Sequence, residues 1–244
     1  MFTSDDAYDN FMGRYSRRLA PLFADFAGVA AGMDVLDVGA GTGALTAELV
    51  RRDATVAAAD PSSQFAATLK ARFPDIDARE APAEELPWPD DTFDAALAQL
   101  VIAFMSDAEA GVAEMRRVVA AGGVVAVCMW DRERMEMLHA VNRVQAIVDP
   151  NRTADVPRFR DQQSIAALLG DGVEMELLEV DAEYSGYDEF WAALQHGVGP
   201  AGAWIESLDA GRRAQASDEL RSVLGSPTGA FTLTGRAWAA KVVR

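Results

Sequence analysis

Cysteine, histidine and lysine are scarce in this 244-residue chain, which has one Cys and two His. A lone Cys128 excludes an intramolecular disulfide and cannot by itself build a zinc site, so no metal centre is expected. Lys70 and Lys241 are the only lysines, and nearly all positive charge is therefore arginine. Acidic residues outnumber basic ones by 38 to 22, for a formal net charge of −16. Nucleic acids and anionic membranes would find no basic surface to bind, so neither is an expected partner. No apolar run approaches the length of a membrane span, and MFTSDDAYDN at the start lacks the basic and apolar regions of a signal peptide. A cytoplasmic location is the expectation. No repeat, low-complexity tract or long linker appears. With 50% hydrophobic content, a single domain over residues 1–244 is expected to bury one core.

Residues 35–43, VLDVGAGTG, carry most of the functional information. Val35, Leu36 and Val38 form an apolar strand pattern interrupted by Asp37. Gly39, Gly41 and Gly43 then precede an amphipathic segment, Ala44–Arg52. A strand, a glycine turn and a helix start let backbone approach a nucleotide closely. Two ligands compete. A dinucleotide would place its diphosphate on the helix N-terminus, and Gly39, Gly41 and Ala44 satisfy the loose G-x-G-x-x-G/A pattern. Asp37 opposes that reading, because a carboxylate beside the loop repels a diphosphate and attracts a cation. S-adenosylmethionine carries an ammonium and a sulfonium and no phosphate. Asp60 closes a second strand pattern, Ala54–Ala59, and is placed to accept hydrogen bonds from ribose hydroxyls. Its structural alternative is a cap for helix Ser62–Arg72, with Pro61 in the turn.

Strand and helix patterns alternate through the chain, the mark of a parallel sheet covered by helices. A helix is expected over Ser16–Ala27, and strands over Ile76–Glu80, Phe93–Leu100 and Val124–Trp130. Ser106 and Glu109 read as a capping box for a helix through Ala120, terminated by Gly122 and Gly123. Asp161 or Ser164 opens another helix ending at Gly170, and Val173–Val180 with Ala230–Val243 form the last strand pair.

The motifs VLDVGAGTG (35–43), AAADPS (57–62), AEELPWPDDTFDAALAQL (83–100) and EMRRVVAAGGVVAV (114–127) stand in one order and spacing. In these the chain resembles the class I S-adenosylmethionine-dependent methyltransferases, within the broad group (methyltransferase type 11) that includes ubiquinone- and menaquinone-biosynthesis enzymes. The resemblance covers about residues 35–130. The segments at 8–23 and 236–241 also look like one subgroup. It implies a Rossmann-like α/β fold with a seven-stranded, mostly parallel sheet whose last strand is antiparallel and lies between the fifth and sixth. It also implies S-adenosyl-L-methionine as cofactor, with S-adenosyl-L-homocysteine as product.

By that resemblance, Gly39, Ala40, Gly41 and Gly43 form the cofactor loop, Asp37 lies near the methionine amino group, and Asp60 with Pro61 holds the ribose. Ala83 and Glu84 fall at the adenine edge. Pro82 departs from the family there, because an acidic residue is usual at that position. Gln99 and Leu100 should lie beside the sulfonium or adenosine, and a buried Gln99 without a ligand would leave its amide unsatisfied. Arg14 and Tyr15 are candidate partners of the methionine carboxylate, the alternative being that Tyr8, Phe11 and Tyr15 are an apolar core stripe.

Segments at about 131–160 and 188–226 exceed the minimal fold and read as a small helical lid shaping the acceptor pocket, with HGVGPAG (196–202) separating two helices. Both histidines, His139 and His196, lie in these segments. His196 is the better candidate for a general base. Trp88, Phe104, Trp130, Trp191 and Trp204 either line an aromatic pocket or pack as core. The expected activity is methyl transfer to a small, apolar or aromatic metabolite, by a monomer or homodimer. The alternatives are an S-adenosylmethionine-binding protein with other chemistry, a dinucleotide-dependent oxidoreductase, and a non-catalytic cofactor sensor.

Overall fold

Short apolar runs become buried strands, and amphipathic segments between most of them become helices. The computed structural model describes residues 11–151, 158–159, 161–195 and 199–244. In order these form α1 (Gly13–Ala27), β1 (Asp34–Val38), α2 (Ala44–Arg51), β2 (Thr55–Asp60), α3 (Ser63–Arg72), β3 (Asp77–Glu80) and β4 (Phe93–Gln99). A 3-10 turn, Ile102–Phe104, leads to α4 (Ala108–Val118), β5 (Val119–Trp130), α5 (Glu136–Val148), α6 (Gln162–Leu169) and β6 (Glu174–Tyr184). The chain closes with α7 (Tyr187–Gln195), α8 (Gly199–Ser207), α9 (Ala210–Val223) and β7 (Phe231–Val243).

The strands join in one seven-stranded sheet of order β3-β2-β1-β4-β5-β7-β6. β1 pairs parallel with β2 and β4, β2 with β3, and β4 with β5, whereas β7 runs antiparallel to β5 from Val124↔Val243 to Trp130↔Ala237. This is the expected Rossmann-like arrangement, with the antiparallel last strand between the fifth and sixth. The order reverses direction between β1 and β4, and in such sheets ligands sit beyond the carboxyl ends of the strands at that switch.

In their described parts, the residues divide into two compact units. One comprises Ser16–Asp131, Pro157–Leu178 and Ala237–Arg244. Its main core lies on one sheet face, where Leu36, Val38, Ala57, Ala59, Ala96, Ala98 and Val127 pack against Met115 of α4 and Ile165 of α6. On the opposite face, Ala58 packs with Leu69 of α3, Asp37 bonds to Thr46 of α2, and Gln99 bonds to the backbone of Ser16 in α1. The small alanines of β2 and β4 allow helices to cover both faces closely.

The second unit comprises Met1–Tyr15, Arg132–Val156 and Glu179–Arg236. Tyr184 anchors it: its ring stacks on Phe231 at 5.5 Å and meets Phe190 edge-on at 5.1 Å, and its hydroxyl donates to that of Tyr15. α9 starts at the Asp209 cap, which accepts from the Arg212 N–H.

Several local expectations are corrected. α4 is capped by Asp107, whose carboxylate accepts from the Ala110 N–H, and not by a Ser106–Glu109 box. The helix ends at Val118 and passes directly into β5, so Gly122 and Gly123 lie inside the strand and not at a helix end. The physical reason is a register shift. Val119 pairs with Phe93 and Val124 with Ala95, so the residues between must bulge. A Cβ at Gly123 would stand 2.5 Å from the Asp94 carbonyl, so the bulge admits only glycine. The expected separator HGVGPAG contains, from Gly199, the start of α8. Trp204 and Ile205 are buried there, and packing overrides the glycine signal. The alternative left open at Asp161 and Ser164 resolves as both, since the two form a reciprocal capping box. Among the described residues no helix is long and apolar enough to cross a membrane, and no cluster of three or more metal-ligating side chains occurs.

Candidate functional site

The glycine turn after β1 is built by left-handed backbone, with φ of +70° at Gly39, +56° at Gly41 and +92° at Gly43. Two of these glycines are also required by close packing. A Cβ on Gly39 would lie 2.4 Å from Val101, and one on Gly43 2.6 Å from Phe73. At Gly41 a Cβ would meet nothing within 4 Å, so the turn opens on that side. The Gly39 and Ala40 N–H groups donate to the Ala59 carbonyl, fastening the turn to the end of β2. Gly43, at the N-cap of α2, brings no side chain to the first-turn N–H groups.

Two acidic side chains close this turn. Asp37 is 1% exposed. It accepts from the Thr46 hydroxyl at 2.6 Å and from the Thr46 backbone N–H. It thereby caps α2 from the neighbouring strand. Burial pushes its carboxyl up to about 7, with the Thr46 bonds opposing the shift and Asp60 adding to it. Asp60 is 6% exposed. Its two oxygens accept from the Gly41 and Ser62 N–H groups, each at 2.9 Å. Its pKa is raised by burial against those two bonds. The cap of α3 is Ser62, which accepts from the Phe65 N–H, so Asp60 steadies the cap without being it. Neither Asp37 nor Asp60 has an ion-pair partner among the described residues.

β4 ends at Gln99, and Leu100 follows with φ +63°, a strained conformation for a branched side chain. The Leu100 N–H donates to the Cys128 carbonyl. Gln99 donates through Nε2 to the Ser16 carbonyl at 3.1 Å, while its Oε1 is enclosed without a partner. The expected unsatisfied amide is thus half realised. The Ser16 hydroxyl, on a residue 2% exposed, is likewise unpartnered. Asp37 pairs with Leu97, two residues before Gln99, so side-chain alternation puts Asp37 and Gln99 on one sheet face. Cys128 is fully buried with its thiol pKa pushed up by desolvation, and so remains an inert core thiol.

The other expected site residues fall as follows. Pro61 is exposed beside Asp60. Ala83 contributes its side chain to the main core. Glu84 Oε1 accepts from the Asp107 N–H at 2.9 Å, which ties it to the start of α4. Arg14 donates to the Glu183 carbonyl, forms an ion pair with Glu189, and lies over the Tyr184 ring. Glu189 is held down at about 2 by bonds from Ser185 and by Arg14. Tyr15 is fully buried with its hydroxyl pKa raised by desolvation. Arg14 and Tyr15 therefore belong to the Tyr184 constellation of the second unit. His139 is exposed on α5, whereas His196 and Tyr8 lie outside the described residues. Trp88 donates to Asp77 and packs edge-on against Phe93 as core, Trp191 stacks on Tyr187, and Phe104 is 58% exposed. Sequence reasoning missed Thr46 and Ser16. Thr46 was signalled only by a hydroxyl in the first turn after the glycines, and Ser16 by nothing.

Residues 36–127 match a family model described as a methyltransferase domain. Over that span the chain is similar to that family. The matched span contains the glycine turn, Asp37, Asp60 and Gln99. An uncharacterized methyltransferase of Mycobacterium tuberculosis is 34% identical over 157 residues, covering 63% of each chain. A demethylmenaquinone methyltransferase of Tropheryma whipplei is 38% identical over 110 residues, covering 44% of this chain and 46% of its own. This chain spans less than two thirds of the length of these relatives. The YcgJ protein of Bacillus subtilis shares the fold, with a TM-score of 0.58 at 20% identity over 92% of this chain and 98% of its own.

The chemistry of the residues around the glycine turn fits S-adenosylmethionine. Among the described residues, two buried carboxylates lack a cation, a buried amide oxygen and a buried hydroxyl lack partners, and the turn stays open at Gly41. A diphosphate would face both carboxylates, which disfavours the dinucleotide alternative.

Proposed function

We propose that this protein is an S-adenosylmethionine-dependent methyltransferase acting on a small, apolar or aromatic metabolite. The observation that carries the proposal is the pair of buried, cation-free carboxylates Asp37 and Asp60 at the ends of β1 and β2. When bound, S-adenosylmethionine supplies an electrophilic methyl group on a sulfonium. Asp60 accepts hydrogen bonds from the ribose hydroxyls, and Gly41 admits the ligand where a side chain would stand. Asp37 favours the cationic end by charge, and Thr46 fixes the orientation of its carboxylate. Ala83 and Glu84 edge the adenine, with Glu84 Oε2 the oxygen left to meet its amine. Because the leaving group departs neutral, the protein contributes mainly by holding donor and nucleophile together.

The segments at about 131–160 and 188–226 are assigned acceptor selection in this reading, since residues 36–127 account for the donor. His196 is the proposed base for an acceptor that must lose a proton. The net charge of −16 supports a small-molecule substrate over nucleic acid or a membrane surface, and a lone buried cysteine suits the cytoplasm. The protein acts as a monomer or homodimer. The test is incubation with methyl-labelled donor and a small-molecule extract. Label recovered in an apolar or aromatic metabolite supports the reading. Binding of the donor with no transfer to any fraction refutes the enzyme and leaves a sensor.

A further inference from the structure

One face of α4 carries the chain between β3 and β4 along the length of the helix. At its N-cap, the Asp107 N–H donates to Glu84 Oε1 at 2.9 Å. One turn on stands Gly111, where a Cβ would lie 3.3 Å from that of Ala83. A turn further, Glu114 Oε2 accepts from the Leu86 N–H at 3.0 Å. Arg117 then donates to the Leu86 carbonyl at 2.9 Å, the Trp88 carbonyl at 2.8 Å and the Asp90 carboxylate at 2.9 Å. Its own carbonyl accepts from the Asp91 N–H. Spacings of three and four residues put these positions on one side of the helix, so the contacts form a single row.

Leu86 is held at both of its backbone groups, as a strand residue is, yet it belongs to no strand. The two side chains that hold it are an ion pair, in which Arg117 meets Glu114 through two bonds of 2.7 Å. Such a two-bonded fork is planar and directional, so the pair acts as one stiff unit. The Arg117 bonds keep the Glu114 carboxyl below its ordinary value. The opposite end of the segment is fastened at the proposed donor site. Glu80 pairs with Asp60, and the Asp60 carbonyl accepts from the Ala81 N–H at 3.1 Å. Ala83 and Glu84 lie between these two anchorages. A base joined to a ribose on Asp60 therefore meets this stretch of chain.

We infer that Arg117 and Glu114 are positioning residues for nucleobase selection: by fixing Leu86 they set where Ala83 and Glu84 present the edge that tells an amine from a carbonyl on the base. This rests on the proposed function, and neither residue touches the ligand. It accounts for a guanidinium directed at three groups of one loop. It also accounts for Gly111, a weak helix former at the point where a methyl group would crowd Ala83.

The test compares S-adenosylhomocysteine with S-inosylhomocysteine, which carries a carbonyl oxygen in place of the base amine, by calorimetry. The unaltered protein should bind the adenine ligand at least about tenfold more tightly, the scale of a polar group left unpaired. Arg117→Met should bring the two affinities within about threefold of each other, chiefly by weakening the adenine ligand. Glu114→Gln keeps an oxygen for the Leu86 N–H but loses the charge that seats Arg117, and should lower the ratio by about threefold. Both variants should lose stability in urea, as they would if the pair were only structural. A structural role would leave the ratio untouched, because general loosening weakens both ligands alike. Glu114→Gln decides the matter if Arg117→Met does not fold. An unchanged ratio in a folded variant, or equal binding of the two ligands by the unaltered protein, overturns the inference. Binding of neither ligand removes the proposed function itself, whereas binding of both with an unchanged ratio removes only this assignment.

Discussion

Replacing Asp37 by asparagine isolates the most perturbed carboxyl of the site. The folded protein holds this carboxyl at about 7, against an ordinary value of 3.8. Burial is the main cause, and Asn retains an oxygen for the Thr46 hydroxyl. A carboxyl raised on folding binds its proton more tightly in the folded state than in the unfolded state. Its contribution to stability is therefore complete below about pH 4 and is lost as pH rises towards 7. Three units of displacement correspond to about 4 kcal/mol at most. Glu48, Asp77, Glu114 and Glu189 are shifted downward and drive stability the other way. They are common to both proteins and cancel in the difference. Urea denaturation of the two proteins from pH 4 to 8 should therefore show Asp37→Asn gaining on the parent by up to about 4 kcal/mol, levelling off above pH 7. A ligand whose ammonium lies near Asp37 selects the ionised carboxylate. Below pH 7, affinity of the parent for S-adenosylhomocysteine should rise by up to about tenfold per pH unit, with release of nearly one proton. Calorimetry in buffers of different ionisation enthalpy reads that proton directly. Parallel stability profiles for the two proteins, or binding without proton release at pH 6, would refute the reasoning.

Other perturbations separate fold from site. Gly41→Ala should destabilise the protein by only about 1–2 kcal/mol, the cost of a left-handed non-glycine residue, yet abolish measurable S-adenosylhomocysteine binding. Equal effects on denaturation and titration would contradict an open ligand face at Gly41. Gly43→Ala adds a clash with Phe73 to its backbone strain; a loss of about 2–4 kcal/mol in urea denaturation is expected, part of which Phe73→Ala in the same chain restores. Asp60→Ala should weaken S-adenosylhomocysteine binding by about 1–3 kcal/mol in calorimetry, the scale for leaving polar partners unpaired. Unchanged affinity would remove Asp60 from the site. Glu48→Gln disrupts the carboxylate shared by Arg51 and Arg52; because these pairs are partly exposed, about 1–2 kcal/mol of stability should be lost, without change in ligand affinity.

Residues whose signal is local were legible from sequence, and residues whose role is set by packing were not. The glycine turn, Asp60 and the alternation of strands and helices follow from spacing and hydrophobic runs, whereas the strand order came only through the family resemblance, and it appears as that resemblance implies. Asp161 with Ser164 forms the capping box that two adjacent polar residues allow. The start of α4 misled because Ser106, Asp107 and Glu109 offer competing caps, and Glu84 settles the choice by accepting from the Asp107 N–H. That contact is 23 residues away in sequence, beyond any local pattern. α8 was hidden by its glycines and is held by burial of Trp204 and Ile205. Arg14 pairs with Glu189, a contact distant in the chain and invisible to motif reading. Asp37 carries both meanings, since one carboxylate caps α2 and stands without a cation.

Calorimetric titration of the purified protein with S-adenosylhomocysteine, and separately with NAD, tests the central claim most directly. Micromolar binding of S-adenosylhomocysteine and none of NAD is the predicted result. Binding of NAD alone would contradict the account, because a diphosphate would then be accommodated beside two buried carboxylates.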